Sequence, residues 1–470
     1  MARKTSKKTG SGKEQVPPGP ARTPVSGRDL LRERPAWLVA LLAVYFVLGG
    51  LYLATVPFGH APDESAHLLY VEQLASGQLP VFRAEDRANF EAHQPPLAYL
   101  VALPAYLLAG GEGDAARYAV RLVSLVLGAV VIWLVAAAVR LWLPGRPGVA
   151  LAAGAVAAFM PMRLAVFSSF SNDPLTETLF CAVLFLLGLG LCNGFDRRRC
   201  LWVGALIGLG LLTKTTCILL LPVALVALFL EWRRHRSRAR EYLANAGLLA
   251  GVAVAIGLPW MARNVVLYGD PFAWKAFEAF FGDRATPEYW MARQGLSFRQ
   301  YIFFWVPAFT IRSFWGVFDH MNLWMGGPVR FPPPEIKPHL IPLGTPDAPI
   351  YLVLTRVAQL LAVGAVVAGI RWWRSKPEAW QRDIALTWGL CAALIVAAFF
   401  RFNTQYYQAQ ARYLYPAVLP IAATMAAGWL VAWPERLRQM GALLAAALLA
   451  GLAAHAWHGT LLRVFGKVGW

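Results

Sequence analysis

"AWLVALLAVYFVLGGLYLATVPF", residues 36–58, runs for twenty-three residues without a charge. A helix of about 20 such residues crosses the roughly 30 Å hydrocarbon core of a bilayer. The apolar core of a cleaved leader is only about 7–15 residues long, so this run is expected to stay as a first membrane span. The chain then changes character. "GHAPDESAHLLYVEQLASG" (59–77) brings a proline, two adjacent acids and two histidines.

Composition extends the reading to the whole chain. Of 470 residues, 58% are hydrophobic and 15% charged, against about 25% charged in a soluble domain. Further apolar runs cover about 119–143, 148–167, 175–192, 201–213, 215–232, 243–262, 350–370, 384–400, 413–433 and 441–459. The expected fold class is an all-α polytopic integral membrane protein of about eleven transmembrane helices. "PPLAYLVALPAYLLAGG" (95–111) contains Pro104 and is followed by the acidic "GEGD", so it reads as a re-entrant or interfacial helix rather than a crossing.

The formal charge of +18 invites a nucleic-acid reading. The basic residues nevertheless cluster between apolar runs, as "RLWLPGRP" (140–147), "DRRR" (196–199), "RRHRSRAR" (233–240), "RWWRSKPEAWQR" (371–382) and "PERLR" (434–438). That is the positive-inside pattern, and no nucleic-acid partner is expected. It predicts an inside N-terminus, an outside C-terminus and residence in the cytoplasmic membrane. Residues 1–35 carry nine Lys/Arg with Pro, Gly and Ser, and read as a disordered cytoplasmic tail beside anionic lipid. A membrane domain over 36–462 and a short external tail over 463–470 follow. Cys181, Cys192, Cys200, Cys217 and Cys391 form no CxxC pair and read as small core residues.

Two long external segments are expected, 59–117 and 264–349. In the first, Pro62 suits a first helical turn, and Asp63 and Glu64 would complement the helix dipole. Asp63, His67 and Tyr70 then share one face. His60, Asp63, Glu64 and His67 form a compact nitrogen–oxygen set for a divalent metal, although their spacing matches no established zinc signature. Asp173 in "SNDPLTE" (171–177) sits at the start of a span, where Ser171, Asn172 or Asp173 would also serve as an N-cap. Lys214 lies between two short apolar runs, where it would snorkel to headgroups or clamp an anionic one. Arg263, with Asn264, and Arg412, with Tyr413, sit at outer span ends, where the positive-inside rule disfavours arginine. Together with Lys214 these arginines would suit a phosphate.

"DESAHLLYVEQLASGQLPV" (63–81) followed by "HQPPLAYL" (93–100) resembles the first external loop of the glycosyltransferase C superfamily. Protein O-mannosyltransferases and lipid A aminoarabinose transferases carry a similar order, and the aminoarabinose transferases have Tyr or Phe where this chain has His67. "SNDPLTE", "RNVVLYGDP" (263–271), "SFWGVF" (313–318) and "QARYLYPA" (410–417) look closer to the domain-of-unknown-function 2142 family. The large soluble C-terminal domain of oligosaccharyltransferases has no counterpart in the resemblance, which covers about 36–433. It implies an inverting membrane glycosyltransferase that uses a polyprenyl-phosphate-linked sugar on the outer face, with a glycan, lipid or protein acceptor. By the same resemblance Asp63 is the base, Glu64 and Asp173 support acceptor or metal, and Lys214, Arg263 and Arg412 hold the lipid phosphate. His93 and Gln94 are further polar site residues. Two rivals remain: a transporter or flippase of lipid-linked saccharides, and a non-catalytic envelope-assembly subunit. The transporter class often shows paired repeats and ionisable groups near the midplane, whereas here the ionisable groups gather at span ends and no repeat is evident.

Overall fold

The computed structural model describes residues 35–83, 85–234, 239–281, 286–325, 327–328 and 349–466. The expected basic tail, apart from Pro35, lies outside the described residues, as do 329–348 of the second long loop and 467–470 of the C-terminal tail.

The chain is an all-α membrane bundle. Among the described residues nine helical segments are long and apolar enough to cross a bilayer, or ten when one bent pair is counted as a span. The described helices are α1 (Ala36–Thr55), α2 (Glu64–Ala75), α3 (Leu97–Leu108), α4 (Gly113–Trp142), α5 (Pro147–Phe159), α6 (Pro161–Phe167), α7 (Asp173–Asn193) and α8 (Arg197–Leu211). They continue as α9 (Leu220–Arg234), α10 (Ala239–Tyr268), α11 (Trp274–Phe281), α12 (Pro287–Gln294), α13 (Val306–Gly316), α14 (Pro349–Arg374), α15 (Ala379–Asn403), α16 (Val418–Leu430) and α17 (Arg438–Ala456). Two of the eleven expected spans differ. The 148–167 run breaks at Met160, where Pro161 cannot donate to the helical ladder, and its halves α5 and α6 meet at 62°. The 201–213 run gives α8, whose 15 residues extend about 22 Å, less than the hydrocarbon thickness. α3, at 12 residues, is likewise short of a crossing, in line with a re-entrant or interfacial helix.

Described residues of the basic segments meet at one end of the bundle. The Trp142 indole donates to the Gln381 carbonyl at 3.1 Å and Gln381 returns a bond to the Trp142 carbonyl at 2.8 Å. Arg234 reaches Asp383 at 3.1 Å and donates to the Leu191 carbonyl at 2.6 Å. Arg371 donates to the Val431 carbonyl at 3.3 Å. α7 begins at Asp173 and ends at Asn193, beside this basic end, so its 21 residues place Asp173 about 30 Å away at the opposite end.

Small residues let the helices approach closely, as membrane packing favours. α8 crosses α10 at Gly204, where an added Cβ would lie 2.5 Å from the Leu249 carbonyl oxygen. Gly204→Val is therefore expected to force the pair apart and cost about 1–3 kcal/mol. Thermal melts in detergent check this against Gly251→Val, whose site on α10 is open; equal melts would show the contact to be unimportant. α14 crosses α16 in the same way, with a Cβ on Gly364 meeting the Gly428 carbonyl oxygen at 2.3 Å. After α13 the chain makes a small antiparallel hairpin of β1 (Val317–Phe318) and β2 (Leu323–Trp324), with Val317 opposite Trp324 and Phe318 opposite Leu323. β3 (Gly327–Pro328) adds a third strand. Cys181, Cys200, Cys217 and Cys391 are buried without bridges.

Candidate active site

Four segments distant in sequence each begin an element at the end away from the basic loops. Asp63 is the residue before α2, and its φ of 64° is left-handed, a conformation that Asp tolerates better than most residues. Pro62 thus precedes the helix rather than forming its first turn. The Asp63 side chain makes no cap bond and is directed at Arg412. Asp173 is the first residue of α7, with Pro174 behind it at a position that needs no N–H. Lys214 follows α8 in a tight turn, its N–H bonded to the Gly210 carbonyl at 2.9 Å. Arg412 and Tyr413 lie in the 3-10 turn Ala411–Ala417 that opens the α16 span.

These starts bring the charges together. Arg412 donates to Asp63 at 2.5 Å and lies 3.8 Å from the other carboxylate, Asp173. Lys214 donates to Asp173 at 2.5 Å. The Tyr413 ring lies beside both cations, 5.2 Å from the Arg412 guanidinium and 5.6 Å from the Lys214 ammonium. Two cations thus balance two carboxylates, in a site where Asp63 is the most open at 30% exposure against 7% for Arg412. Burial alone would raise the Asp63 pKa; the charge and hydrogen bond of Arg412 outweigh it and hold the group at about 2. Burial would likewise lower Lys214, but Asp173 and Tyr413 keep it raised and charged.

A polar shelf borders the cluster. His67 Nδ1 lies 2.8 Å from the Tyr99 hydroxyl, and Tyr70 stacks on Tyr99 at 3.8 Å, so the predicted polar face of α2 meets α3. Burial lowers His67. His93 donates from Nδ1 to the Phe90 carbonyl at 2.7 Å, and burial lowers its pKa to about 4. Its other nitrogen accepts from Gln94 at 3.2 Å, and Gln94 accepts from Asn172 at 3.1 Å. This relay ends one residue from Asp173.

Several expected site residues go elsewhere. Glu64 turns away from Asp63 into a buried two-bond pair with Arg121, at 2.7 and 2.6 Å. It also accepts from the Phe170 and Gly59 N–H groups, so its lone pairs are committed to holding the loop. Arg263 does not join Lys214 and Arg412; it donates to the Pro80 carbonyl at 2.5 Å and lies over Trp260. Asn264 donates to the Pro271 carbonyl at 3.1 Å.

The metal set does not assemble either. His60 pairs with Asp319 at 2.9 Å, Glu64 with Arg121, and His67 with Tyr99. Among the described residues no three His, Cys, Asp or Glu side chains are placed to share an ion. The two carboxylates that do face the site, Asp63 and Asp173, are paired with Arg412 and Lys214.

Sequence reasoning missed three participants. Glu91 is buried at 7% exposure with one carboxyl oxygen unbonded, and burial raises its pKa. Its place two residues before "HQPPL" was the available signal. Asp319 and His320, just after "SFWGVF", grip the opening loop: Asp319 through His60, and His320 through the Gly59 carbonyl at 2.8 Å.

The family model described as dolichyl-phosphate-mannose-protein mannosyltransferase matches residues 93–260. No curated protein matches the chain. Among solved structures, an Archaeoglobus fulgidus oligosaccharyltransferase tethered with an acceptor peptide is similar with a TM-score of 0.53 and 15% identity, over 90% of this chain and 55% of that one. The same organism's AglB in complex with an inhibitory peptide and a dolichol-phosphate gives 0.53 and 14%, over 90% and 56%. ArnT from Cupriavidus metallidurans, in the apo state, gives 0.40 and 18%, over 90% and 77%. The chain thus spans about half the length of the oligosaccharyltransferases, 55% of the first. The domain-of-unknown-function 2142 likeness is not confirmed by these matches.

Proposed function

We propose that this chain, which has the glycosyltransferase C fold, transfers a sugar from a polyprenyl-phosphate-linked donor to an acceptor hydroxyl or amide, with inversion. The reaction would take place on the outer face of the cytoplasmic membrane, with the basic loops and N-terminus inside. The observation that carries this reading is the single cluster of Asp63, Asp173, Lys214 and Arg412 beside Tyr413. A lipid-linked sugar phosphate needs cations at its phosphate and a carboxylate near the acceptor, both at one end of an apolar bundle. Ionisable groups at span ends meet that need at less cost than groups at mid-bilayer.

The pairing in the free protein gives the step its logic. A donor phosphate seated on Lys214 and Arg412 competes with Asp173 and Asp63 for the same cations. As Arg412 turns to the phosphate, Asp63 loses the contact that depresses its pKa and becomes a better base. The acceptor proton passes to Asp63, the acceptor atom bonds to the anomeric carbon, and the bond from that carbon to the phosphate oxygen breaks. The lipid phosphate leaves with the electron pair, its charge held by the two cations. Burial raises the pKa of Glu91, which works against a further negative charge beside the incoming phosphate.

The test uses purified protein in detergent with a polyprenyl-phosphate sugar, where no second compartment exists for transport to be scored. Release of polyprenyl phosphate supports an enzyme; binding without release would favour a flippase. Lys214→Gln is expected to raise the donor KM about 10–100-fold, the range of a lost charge-assisted hydrogen bond. An unchanged KM would remove Lys214 from the phosphate site.

A further inference from the structure

A cavity lies at the end of the bundle opposite the Asp63–Arg412 cluster. Its volume is about 650 Å³, and its mouth carries Arg146, Arg371, Arg436 and Arg438. One carboxylate, Glu435, shares the rim and pairs with Arg438 at 3.1 Å. Four arginines against one glutamate leave the rim strongly positive. Arg146 is at the start of α5 and Arg438 at the start of α17, and the two helix starts nearly touch: a Cβ on Gly148 would lie 3.3 Å from the Arg438 carbonyl oxygen. Two helix N-termini thus add their dipoles to the side-chain charge.

Above this mouth the cavity becomes an apolar groove. α14 is held to α16 at the Gly364–Gly428 crossing, and α14 and α15 flank a trough floored by α16. Trp142, Ala385, Ala423 and Thr424 line both the charged cavity and a second, apolar one of about 460 Å³, which reaches Phe314 and Trp315. On α14 alone the lining runs from Ala358 to Arg371, about 20 Å along the axis. That exceeds the depth of one leaflet, about half of the roughly 30 Å hydrocarbon core. Gly369 and Gly389 both line the trough, and a Cβ on either would meet nothing within 4 Å. The space above them is empty of protein.

We propose that this trough binds an anionic phospholipid of the leaflet at the basic end, its phosphate among Arg146, Arg371, Arg436 and Arg438 and an acyl chain along α14 and α15. Charge complementarity selects the occupant: a headgroup with net negative charge is favoured and a zwitterionic one is not. The trough is separate from Lys214 and Arg412, so its occupancy does not depend on the reaction proposed above.

Full-length protein in detergent is titrated with dioleoyl phosphatidylglycerol and, separately, with dioleoyl phosphatidylcholine, and bound lipid is counted by native mass spectrometry. Tighter binding of phosphatidylglycerol is expected. The R146Q/R371Q/R436Q variant should weaken it by roughly a hundredfold, from about fivefold for each arginine near a headgroup. Gly369→Leu with Gly389→Leu should displace the lipid by filling the trough, while the rim charges remain. Lys214→Gln should bind it as the wild type does. Equal affinity for the two lipids would overturn the proposal. So would retention of phosphatidylglycerol by both the arginine and the leucine variants, or equal binding of chain-free glycerophosphoglycerol.

Discussion

Asp63→Asn is expected to lower sugar transfer by about 10²–10⁴-fold, the usual contribution of a positioned general base, with no loss of folded protein. Asparagine keeps the shape of the side chain, tolerates the left-handed backbone of residue 63, and still offers Arg412 an acceptor oxygen. What it lacks is the ability to take the acceptor proton. Single-turnover rates with pre-bound donor isolate that step; a variant within a few-fold of wild type would remove Asp63 as the base. The pH dependence carries the same assignment. Asp63 at about 2 in the free protein lies below the ordinary carboxylate value of about 3.9. The kcat/KM profile should therefore show no acid limb from this group between pH 5 and 8. Arg412→Gln removes the largest influence opposing burial, leaving only His67 and His320 against it, so an acid limb should then move up towards the measured range. Because the folded pKa is depressed, the stability from the Asp63–Arg412 contact is present above about pH 4 and is lost as pH falls towards 2.

The second large effect falls on stability. Arg121→Leu is expected to destabilise the protein by about 3–5 kcal/mol, the cost of stranding one member of a buried pair. Arg121 is fully buried and Glu64 is 2% exposed. Besides Glu64, the guanidinium donates to the Leu53, Val56 and Pro57 carbonyls at 3.0, 2.7 and 3.2 Å. Leucine would leave the Glu64 charge with only two backbone donors, and three carbonyls would lose a partner. Glu64→Gln combined with Arg121→Leu should recover part of the loss, since the stranded charge is gone. Thermal or denaturant melts of the single and double variants form the cycle. A single-variant cost below about 1 kcal/mol would show the pair to be dispensable. Residues 53–64 are held by this arginine, and Asp63 is held with them, so donor binding should weaken along with stability.

The contrast between neighbours 63 and 64 shows how far a sequence can be read. The apolar runs and basic clusters are local signals, and they located the bundle and its two ends. Asp63, Asp173, Lys214 and Arg412 each stand at an element start, where a charged residue beside an apolar run is conspicuous; their meeting follows from all four starts lying at one end. The partner of Glu64 was not legible. Arg121 is 57 residues away inside an apolar run and looks like an isolated charge until α4 packs beside the loop. Arg263 misled for the opposite reason. A span-end arginine carries the same letters whether it meets a carboxylate or, as here, the Pro80 carbonyl and Trp260. Glu91 sits in a four-residue 3-10 turn with no periodicity to mark its burial. The bend at Met160 was foreshadowed by Pro161, but a proline alone does not distinguish a kinked crossing from two half-helices.

The left-handed backbone at Asp63 has a consequence for any attempt to diversify the protein. Glycine, asparagine and aspartate settle at φ near 64° with the least strain, and β-branched residues with the most. A library randomised at this codon would thus be filtered twice, first for folding and then for proton transfer. Survivors of the folding screen should be dominated by Asp, Asn and Gly, and only Asp should pass the activity screen. Glutamate, the chemist's usual conservative replacement, would carry the left-handed strain and set its carboxylate one methylene further out, so it should fail the activity screen. Backbone geometry at this point therefore restricts which residue could serve as the proposed base before any substrate arrives.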